Sequence, residues 1–189
     1  MSKSRNIARK LAAAPEPPKP IKLDLGCGKS KAGPEWTGVD SRKFDGVDLV
    51  ADLRKPWPWK DGSVEEARAS HFVEHLEPNE RIHFVNELCR VLRKGGTCQI
   101  IVPHWASCRA YGDLTHKWPP VSEFWFYYLN AKWRTENAPH NDQYTCDFDF
   151  GAGYGMRQDL LVRPADYQQF ALANYKEAAS DIVAMLTKR

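Results

Sequence analysis

The chain has 189 residues, with 27 Lys or Arg against 24 Asp or Glu, a net charge of +3 and an apolar fraction of 42%. That is the composition of one ordinary globular domain, and no run approaches the roughly 18 consecutive apolar residues of a membrane span. The charge is uneven: residues 1–20 hold five bases (Lys3, Arg5, Arg9, Lys10, Lys19) against Glu16, so the remainder sums to −1, which argues against a domain-wide footprint for nucleic acid.

Residues 1–20 read as a basic, Pro-rich flexible tail ending in Pro15-Glu16-Pro17-Pro18-Lys19-Pro20, a reading preferred over a mitochondrial presequence. The apolar run at residues 11–14 is too short for a signal-peptide core. The five cysteines (Cys27, Cys89, Cys98, Cys108, Cys146) are odd in number and contain no CxxC pair. They predict reduced thiols, a cytoplasmic location and no zinc ribbon.

Residues 21–189 form the predicted domain. Ile21-Lys22-Leu23-Asp24-Leu25 is a strand pattern that runs straight into Gly26-Cys27-Gly28, where the chain must turn tightly. Further strands are predicted at residues 36–40, 47–52 and 64–70, the last against poor local strand propensity. A helix starts near Pro78, with Ile82, Val85, Leu88, Cys89 and Leu92 on one stripe, basic residues in its last turn and Gly95 as its stop. A buried strand over residues 97–102 follows, closed by Pro103. Strand, helix and strand in that order predict an α/β, Rossmann-like, doubly wound and mostly parallel sheet.

Residues 105–135 read as an insertion, because nine of the chain's 22 aromatics fall within residues 105–133. Residues 147–156 look like a Gly-rich strand pair. A C-terminal helix is expected over residues 164–187, opened by Pro164, with Ala171, Tyr175, Ala178, Ile182 and Met185 on one stripe.

In open α/β sheets the ligand sits beyond the carboxyl ends of the strands, where Gly26 and Gly28 let the backbone come close to it. A phosphate needs free helix amides directly after the glycines, yet Lys29-Ser30-Lys31-Ala32-Gly33-Pro34-Glu35 leaves room for only a turn. Carboxylates close the first three strands instead: Asp24 in the first, Asp40 after the second, Asp52 after the third. Asp40 suits vicinal ribose hydroxyls and Asp52 an exocyclic adenine amine. A nucleoside without a pyrophosphate fits this set, and S-adenosylmethionine is such a ligand.

Leu23-Asp24-Leu25-Gly26-Cys27-Gly28, Gly38-Val39-Asp40, Ala51-Asp52-Leu53, Ser70-His71-Phe72-Val73-Glu74-His75-Leu76 and residues 88–96 stand in one order. Over about residues 21–105 the chain thus resembles the class I S-adenosylmethionine-dependent methyltransferases of the small type 11 branch. The resemblance implies seven strands, the last antiparallel. It also implies that Asp24, Gly26, Cys27 and Gly28 line the methionine end, that Asp40 and Ser41 hold the ribose, that Asp52 and Leu53 frame the adenine, and that Ser70 and His71 pass beneath the sulfonium. S-adenosylhomocysteine is then the product. The chain departs from the pattern at Ser30, where a third glycine is common, and in its reduced or absent first helix. Residues 111–117 resemble an Asp-x-Thr-His-Lys stretch that recurs in relatives with no assigned substrate.

Methyl transfer from a sulfonium is an in-line displacement in which positioning does much of the work, so a base is optional. His71, His75 and His104 are the candidates, with His116 beside them, and each also reads as a packed histidine at the cleft rim. Glu74-His75 invites a metal reading, with His104, Asp113 or His116 completing the set. Neighbours on a helix do not share a face, so the expectation is no metal, with Glu74 and His75 tying down their loop. Trp105, Tyr111, His116 and Trp118 are expected to form a substrate lid, against the alternative that the insertion's aromatics are its own core.

The chain lacks the Asn/Asp-Pro-Pro-aromatic segment that serves exocyclic base amines and the Pro-Cys of C5-cytosine enzymes, so nucleic acid is not favoured as acceptor. The expected enzyme transfers methyl to O or N of a small molecule, with oligomeric state left open. The rival readings are an RNA or protein methyltransferase anchored by the basic tail, and a non-catalytic S-adenosylmethionine-binding module.

Overall fold

The computed structural model describes residues 20–189; the predicted basic tail falls on residues outside that range except for Pro20. Seven strands form one sheet: β1 (Ile21–Leu25), β2 (Thr37–Asp40), β3 (Leu49–Val50), β4 (Val64–Ser70), β5 (Leu92–Pro103), β6 (Phe148–Met156) and β7 (Ala179–Lys188). Their order is β3-β2-β1-β4-β5-β7-β6. All neighbours are parallel except that β7 runs against both β5 and β6, so the expected mostly parallel sheet with an antiparallel last strand is present. The order reverses between β1 and β4, which opens a crevice at their carboxyl ends.

Alternation along the strands sends Leu23, Leu25, Val39, Ala67, Ala69, Cys98, Ile100, Val102, Ile182, Ala184 and Leu186 into one core. The opposite face carries Lys22, Arg68, Gln99 and Met185, none of them buried. The core is closed by α1 (Pro78–Val91), which contributes Phe84, Val85, Leu88 and Val91. Pro78 at its first turn and the Glu80 carboxylate accepting from the Glu77 amide at 2.9 Å fix its start.

The winding is reduced: among the described residues no helix lies between β1 and β2, β2 and β3, or β3 and β4. Loops carry those crossovers. The insertion folds as three short helices, α2 (Arg109–Gly112), α3 (Glu123–Tyr127) and α4 (Ala131–Asn137).

Three expectations are corrected. The predicted C-terminal helix stops early: α5 (Gln158–Leu161) and α6 (Ala165–Asn174) are followed by β7. Ile182, Ala184 and Leu186 bury with a period of two while Tyr175 and Met185 stay exposed, so strand alternation defeats the helical stripe that shares Ile182. The predicted strand pair at residues 147–156 is the single strand β6, whose Gly151, Gly153 and Gly155 pair in register with Met185, Val183 and Asp181 of β7. The third predicted strand shrinks to Leu49–Val50, leaving Asp52 in the following turn.

Loops this long need another anchor, and Arg81 supplies it. Its buried guanidinium donates Nε to the Leu76 carbonyl at 2.9 Å and Val73 at 3.2 Å, one terminal nitrogen to Pro119 at 2.6 Å, and the other to Lys117 at 2.9 Å and Glu74 at 3.5 Å. One side chain of α1 thus ties the turn after β4 to the insertion. Arg81→Met keeps the apolar stem and strands these carbonyls, so it is expected to lower the unfolding free energy by about 3 kcal/mol. Urea denaturation checks this; an unchanged midpoint would remove Arg81 from this role.

Candidate functional site

The crevice is built where β1 ends. The amides of Gly26 and Cys27 both donate to the Val39 carbonyl, at 2.8 and 3.1 Å, which forces the chain over with φ +71° at Gly26 and +54° at Gly28. A Cβ at Gly26 would stand 2.2 Å from the Phe72 ring, whereas at Gly28 it would meet nothing within 4 Å. Gly26 is therefore required by packing as well as conformation. Gly28 is required by conformation alone, and it borders open space.

Asp40 closes β2 and binds both loops beside it. Its Oδ2 accepts from the Gly28 amide at 3.0 Å and its Oδ1 from the Arg42 amide at 2.9 Å, which leaves each oxygen a second lone pair. Asp24 is different: 1% exposed, it accepts from the Ala32 amide at 2.8 Å and lies 3.4 Å from Arg68. It braces the glycine loop from within the sheet. Burial, with Asp24 and Asp40 adding to it, pushes the Cys27 thiol pKa up, so this cysteine is a neutral part of the loop.

A pocket of about 200 Å³ is lined by Ser41, Ala51, Asp52, Leu53, Arg54, Phe72, His75 and Leu76. Ala51, Leu53, Phe72 and Leu76 give it apolar surface, and Ser41, Asp52, Arg54 and His75 give it polar surface. Asp52 is gripped by Arg54, through Nε to Oδ1 at 2.8 Å and a terminal nitrogen to Oδ2 at 3.0 Å, with the Arg54 amide also on Oδ1. The guanidinium holds the Asp52 carboxyl below its ordinary pKa. One lone pair, on Oδ2, is left for an incoming donor.

After Ser70, the last residue of β4, His71 adopts φ +53°, a left-handed conformation that costs a non-glycine residue about 1–2 kcal/mol. Its amide is fixed to the Ile101 carbonyl at 2.8 Å. The ring reaches Glu74 Oε1 through Nδ1 at 3.2 Å and lies 3.8 Å from Asp181 Oδ1 through Nε2. The hydrogen bond to Glu74 raises the His71 pKa against the opposing effect of its half-burial. Asp181 is in turn paired with Arg109 at 3.1 Å.

His71, Glu74, His75, Arg109, Asp113 and His116 share a cleft of about 710 Å³. The predicted histidines thus divide. His71, His75 and His116 converge on this cleft, but His104 is 1% exposed, accepts from the Ala106 amide at Nδ1 and meets Glu123 through Nε2 at 3.1 Å. Both of its ring nitrogens are used internally, so it has no lone pair for a substrate proton. The predicted lid divides too: Trp105 and Tyr111 line a separate cavity of about 610 Å³ against the end of α6, His116 lines the histidine cleft, and Trp118 is 74% exposed. Most of the insertion's other aromatics pack on one another, Phe124, Tyr127, Tyr128 and Trp133 edge to face or tilted.

Sequence reasoning missed Phe72 as a pocket wall, although it stands in the block that carries His71. It missed Asp181 because that residue lay in a predicted helix, and Arg109 because nothing local marks it.

No protein-family model and no curated sequence matches this chain. Solved structures do. A SAM-dependent methyltransferase from Archaeoglobus fulgidus superimposes with TM-score 0.59 at 19% identity, over 90% of this chain and 86% of its own. One from Methanosarcina mazei gives 0.55 at 15% identity, over 89% and 92%. Geranyl diphosphate C-methyltransferase from Streptomyces coelicolor, solved with Mg2+, geranyl diphosphate and S-adenosyl-L-homocysteine, gives 0.53 at 14% identity, over 91% and 71%. At these identities the likeness is one of fold: this chain has the fold of the class I S-adenosylmethionine-dependent methyltransferases.

The packing of Gly26 gives a direct test. Gly26→Ala is expected to cost about 2–4 kcal/mol of stability through strain and collision with the Phe72 ring. Removing the ring with Phe72→Ala should return at least about 1 kcal/mol of that in a double-mutant cycle. Strict additivity in urea unfolding would separate the two residues.

Proposed function

We propose that the chain is an enzyme that binds S-adenosylmethionine across the carboxyl ends of β1, β2 and β4 and transfers its methyl group to an oxygen or nitrogen of a small-molecule acceptor. The observation that carries this reading is the meeting of three features at the switch between β1 and β4. They are a glycine turn bordered by open space, a strand-end carboxylate with spare lone pairs, and a small pocket with both apolar and polar walls that shares His75 with a larger cleft. The residues present fit that group. Asp40 has acceptors for two ribose hydroxyls, Leu53, Phe72 and Leu76 flank the space for adenine, and Asp52 keeps one acceptor for its amine. No helix follows the glycines to receive a pyrophosphate, which disfavours a dinucleotide.

When bound, the sulfonium supplies the methyl group for an in-line displacement. This chain's residues position and deprotonate. Glu74 orients His71 through Nδ1, so the neutral ring presents Nε2 as the proton acceptor, and the same carboxylate stabilises the imidazolium that results. Arg109, held by Asp181 at 3.1 Å, keeps its remaining N–H groups on the cleft wall as donors for an oxygen of the acceptor. The cleft volume is that of small-ligand sites.

Calorimetric titration with S-adenosylhomocysteine, with NAD and ATP as controls, is expected to give selective micromolar binding. Asp40→Ala should weaken that binding by about 1–3 kcal/mol, roughly 5- to 150-fold, through loss of charge-assisted hydrogen bonds. Wild-type affinity in the variant would refute the ribose assignment, and the absence of binding by folded wild-type protein would refute the reading itself.

A further inference from the structure

The first half of the histidine cleft, Glu74-His75, meets the second half, Asp113–His116, across an interval of about 40 residues. A carboxylate oxygen of Glu74 and ring nitrogens of His75 and His116 all lie within 4.8 Å of one another. The two imidazoles stand edge to face, with centroids 4.8 Å apart at 72°. We propose that Glu74, His75 and His116 bind a divalent transition-metal ion as a two-histidine, one-carboxylate set.

The carboxylate points to a cation. The Glu74 side chain is 6% exposed; its Oε1 takes His71, and its Oε2 is inaccessible to solvent and has no hydrogen-bond partner among the described residues. A buried anionic oxygen left unpaired costs several kcal/mol, so such atoms mark ion or water sites. No Lys or Arg pairs with the Glu74 carboxylate among the described residues. Arg81 touches only its main-chain carbonyl, and Lys117 pairs with Glu77 at 3.0 Å.

The hydrogen bonds around the two rings fix their tautomers. Nδ1 of His116 lies 3.2 Å from the Ala110 carbonyl, which can only accept, so Nδ1 carries the proton. Nδ1 of His75 lies 3.0 Å from Thr115 Oγ1. That hydroxyl gives its one hydrogen to Asp113 Oδ1 at 2.7 Å, so it must accept from His75, and Nδ1 again carries the proton. Both neutral rings are left with Nε2 as the lone-pair nitrogen. A ligating histidine is held in this way, its other nitrogen donating to a carbonyl or toward a carboxylate. Asp113 supports His75 through Thr115, and its other oxygen lies 3.8 Å from His116 Nε2, on the side where the ion would sit.

The convergence does not depend on an ion. The Lys117 amide donates to the Glu74 carbonyl at 2.8 Å, and the Arg81 guanidinium holds the carbonyls of both segments. The loop after β4 is therefore tied down by main-chain bonds as well as by the Glu74–His71 and His75–Thr115 side-chain bonds, which leave Glu74 Oε2 and the Nε2 atoms of His75 and His116 uncommitted. Two imidazoles with one carboxylate favour zinc, iron, cobalt or manganese over magnesium or calcium. Bound, the ion would keep positions open to oxygen donors in the same cleft. Because His75 lines both that cleft and the small pocket, those positions face an acceptor hydroxyl or carboxylate beside the cofactor. That role rests on the methyltransferase reading, whereas the binding does not.

The test is titration of the full chain with Co2+, without cofactor or acceptor. One equivalent is expected to bind, with visible d–d absorption and no thiolate charge-transfer band. His116→Ala and Glu74→Gln should weaken uptake at least about tenfold, and Thr115→Val, which removes only the support of His75, about tenfold. Circular dichroism confirms that each variant is folded, and Thr115→Val provides the comparison if either ligand variant is not. No uptake by folded wild-type protein, a thiolate band, or unchanged affinity in the folded variants would overturn the site. Failure of S-adenosylhomocysteine to bind would leave it standing.

Discussion

A guanidinium that binds only main-chain carbonyls holds this molecule's functional end together. Arg81 leaves α1 and spends its donors on carbonyls of the turn after β4 and of the insertion. Among the described residues no carboxylate pairs with it, and burial lowers its pKa. An unpaired buried cation is tolerated because several peptide dipoles point their negative ends at it, which a planar fork of five N–H groups can exploit and an ammonium cannot. Arg134 repeats the device deeper in the insertion with the carbonyls of Tyr128, Tyr144 and Cys146. Arg90, which also pairs with Glu87 and Asp61, reaches the Trp57 and Trp59 carbonyls in the loop before β4. Where crossover helices would have satisfied their own backbone, loops leave carbonyls without partners, and three arginines take them up.

On that frame the carboxylates divide their work by burial. Asp24, inside the sheet, braces; Asp40, at the rim, ties the glycine loop while keeping acceptors outward; Asp52 is neutralised in place by Arg54. Glu74 serves His71 with one oxygen, and the other is buried without a hydrogen-bond partner. Asp24 stands in register with Gly38, two residues short of Asp40 at the rim, while Asp52 and Glu74 lie in the loops after β3 and β4.

The fold was legible in sequence wherever local pattern and tertiary outcome agreed. β1 running into Gly26-Cys27-Gly28, the stripe on α1 as far as Cys89 and the β4, α1, β5 order are of this kind; the expected helix end at Gly95 is not, because α1 stops at Val91 and Leu92 to Gly95 belong to β5. The last strand was not legible locally, because Ile182 belongs to both a period-3.6 stripe and a period-2 alternation. Only pairing with β5 and β6 decides between them. The same limit applies to the cleft. The places of Asp40 at a strand end and of Gly28 in a tight turn were readable because both are local features. Sequence alone does not show that His104 is occupied by Glu123, 19 residues on, and it leaves His116 open between lid, base and partner of Glu74-His75, a choice that only the fold narrows. Arg81, the fourth residue of α1, has nothing in its local sequence that marks the carbonyls it binds.

The loop crossovers bear on how the chain reaches this state. With only α1 as a long local element, the sheet closes through pairings such as Leu23 with Ala67 and Ile101 with Val183, far apart along the chain. Each must meet the entropy of closing a long loop before its contacts repay it. Topologies dominated by such pairings fold on the scale of about milliseconds to seconds rather than microseconds. β6 pairs with β7 alone, so it joins the seven-stranded sheet only through β7, and Phe148, Phe150 and Tyr154 pack it on the core. Until β7 has docked on β5, both offer unpaired edges, so the newly made chain is most exposed to association through the strands it completes last.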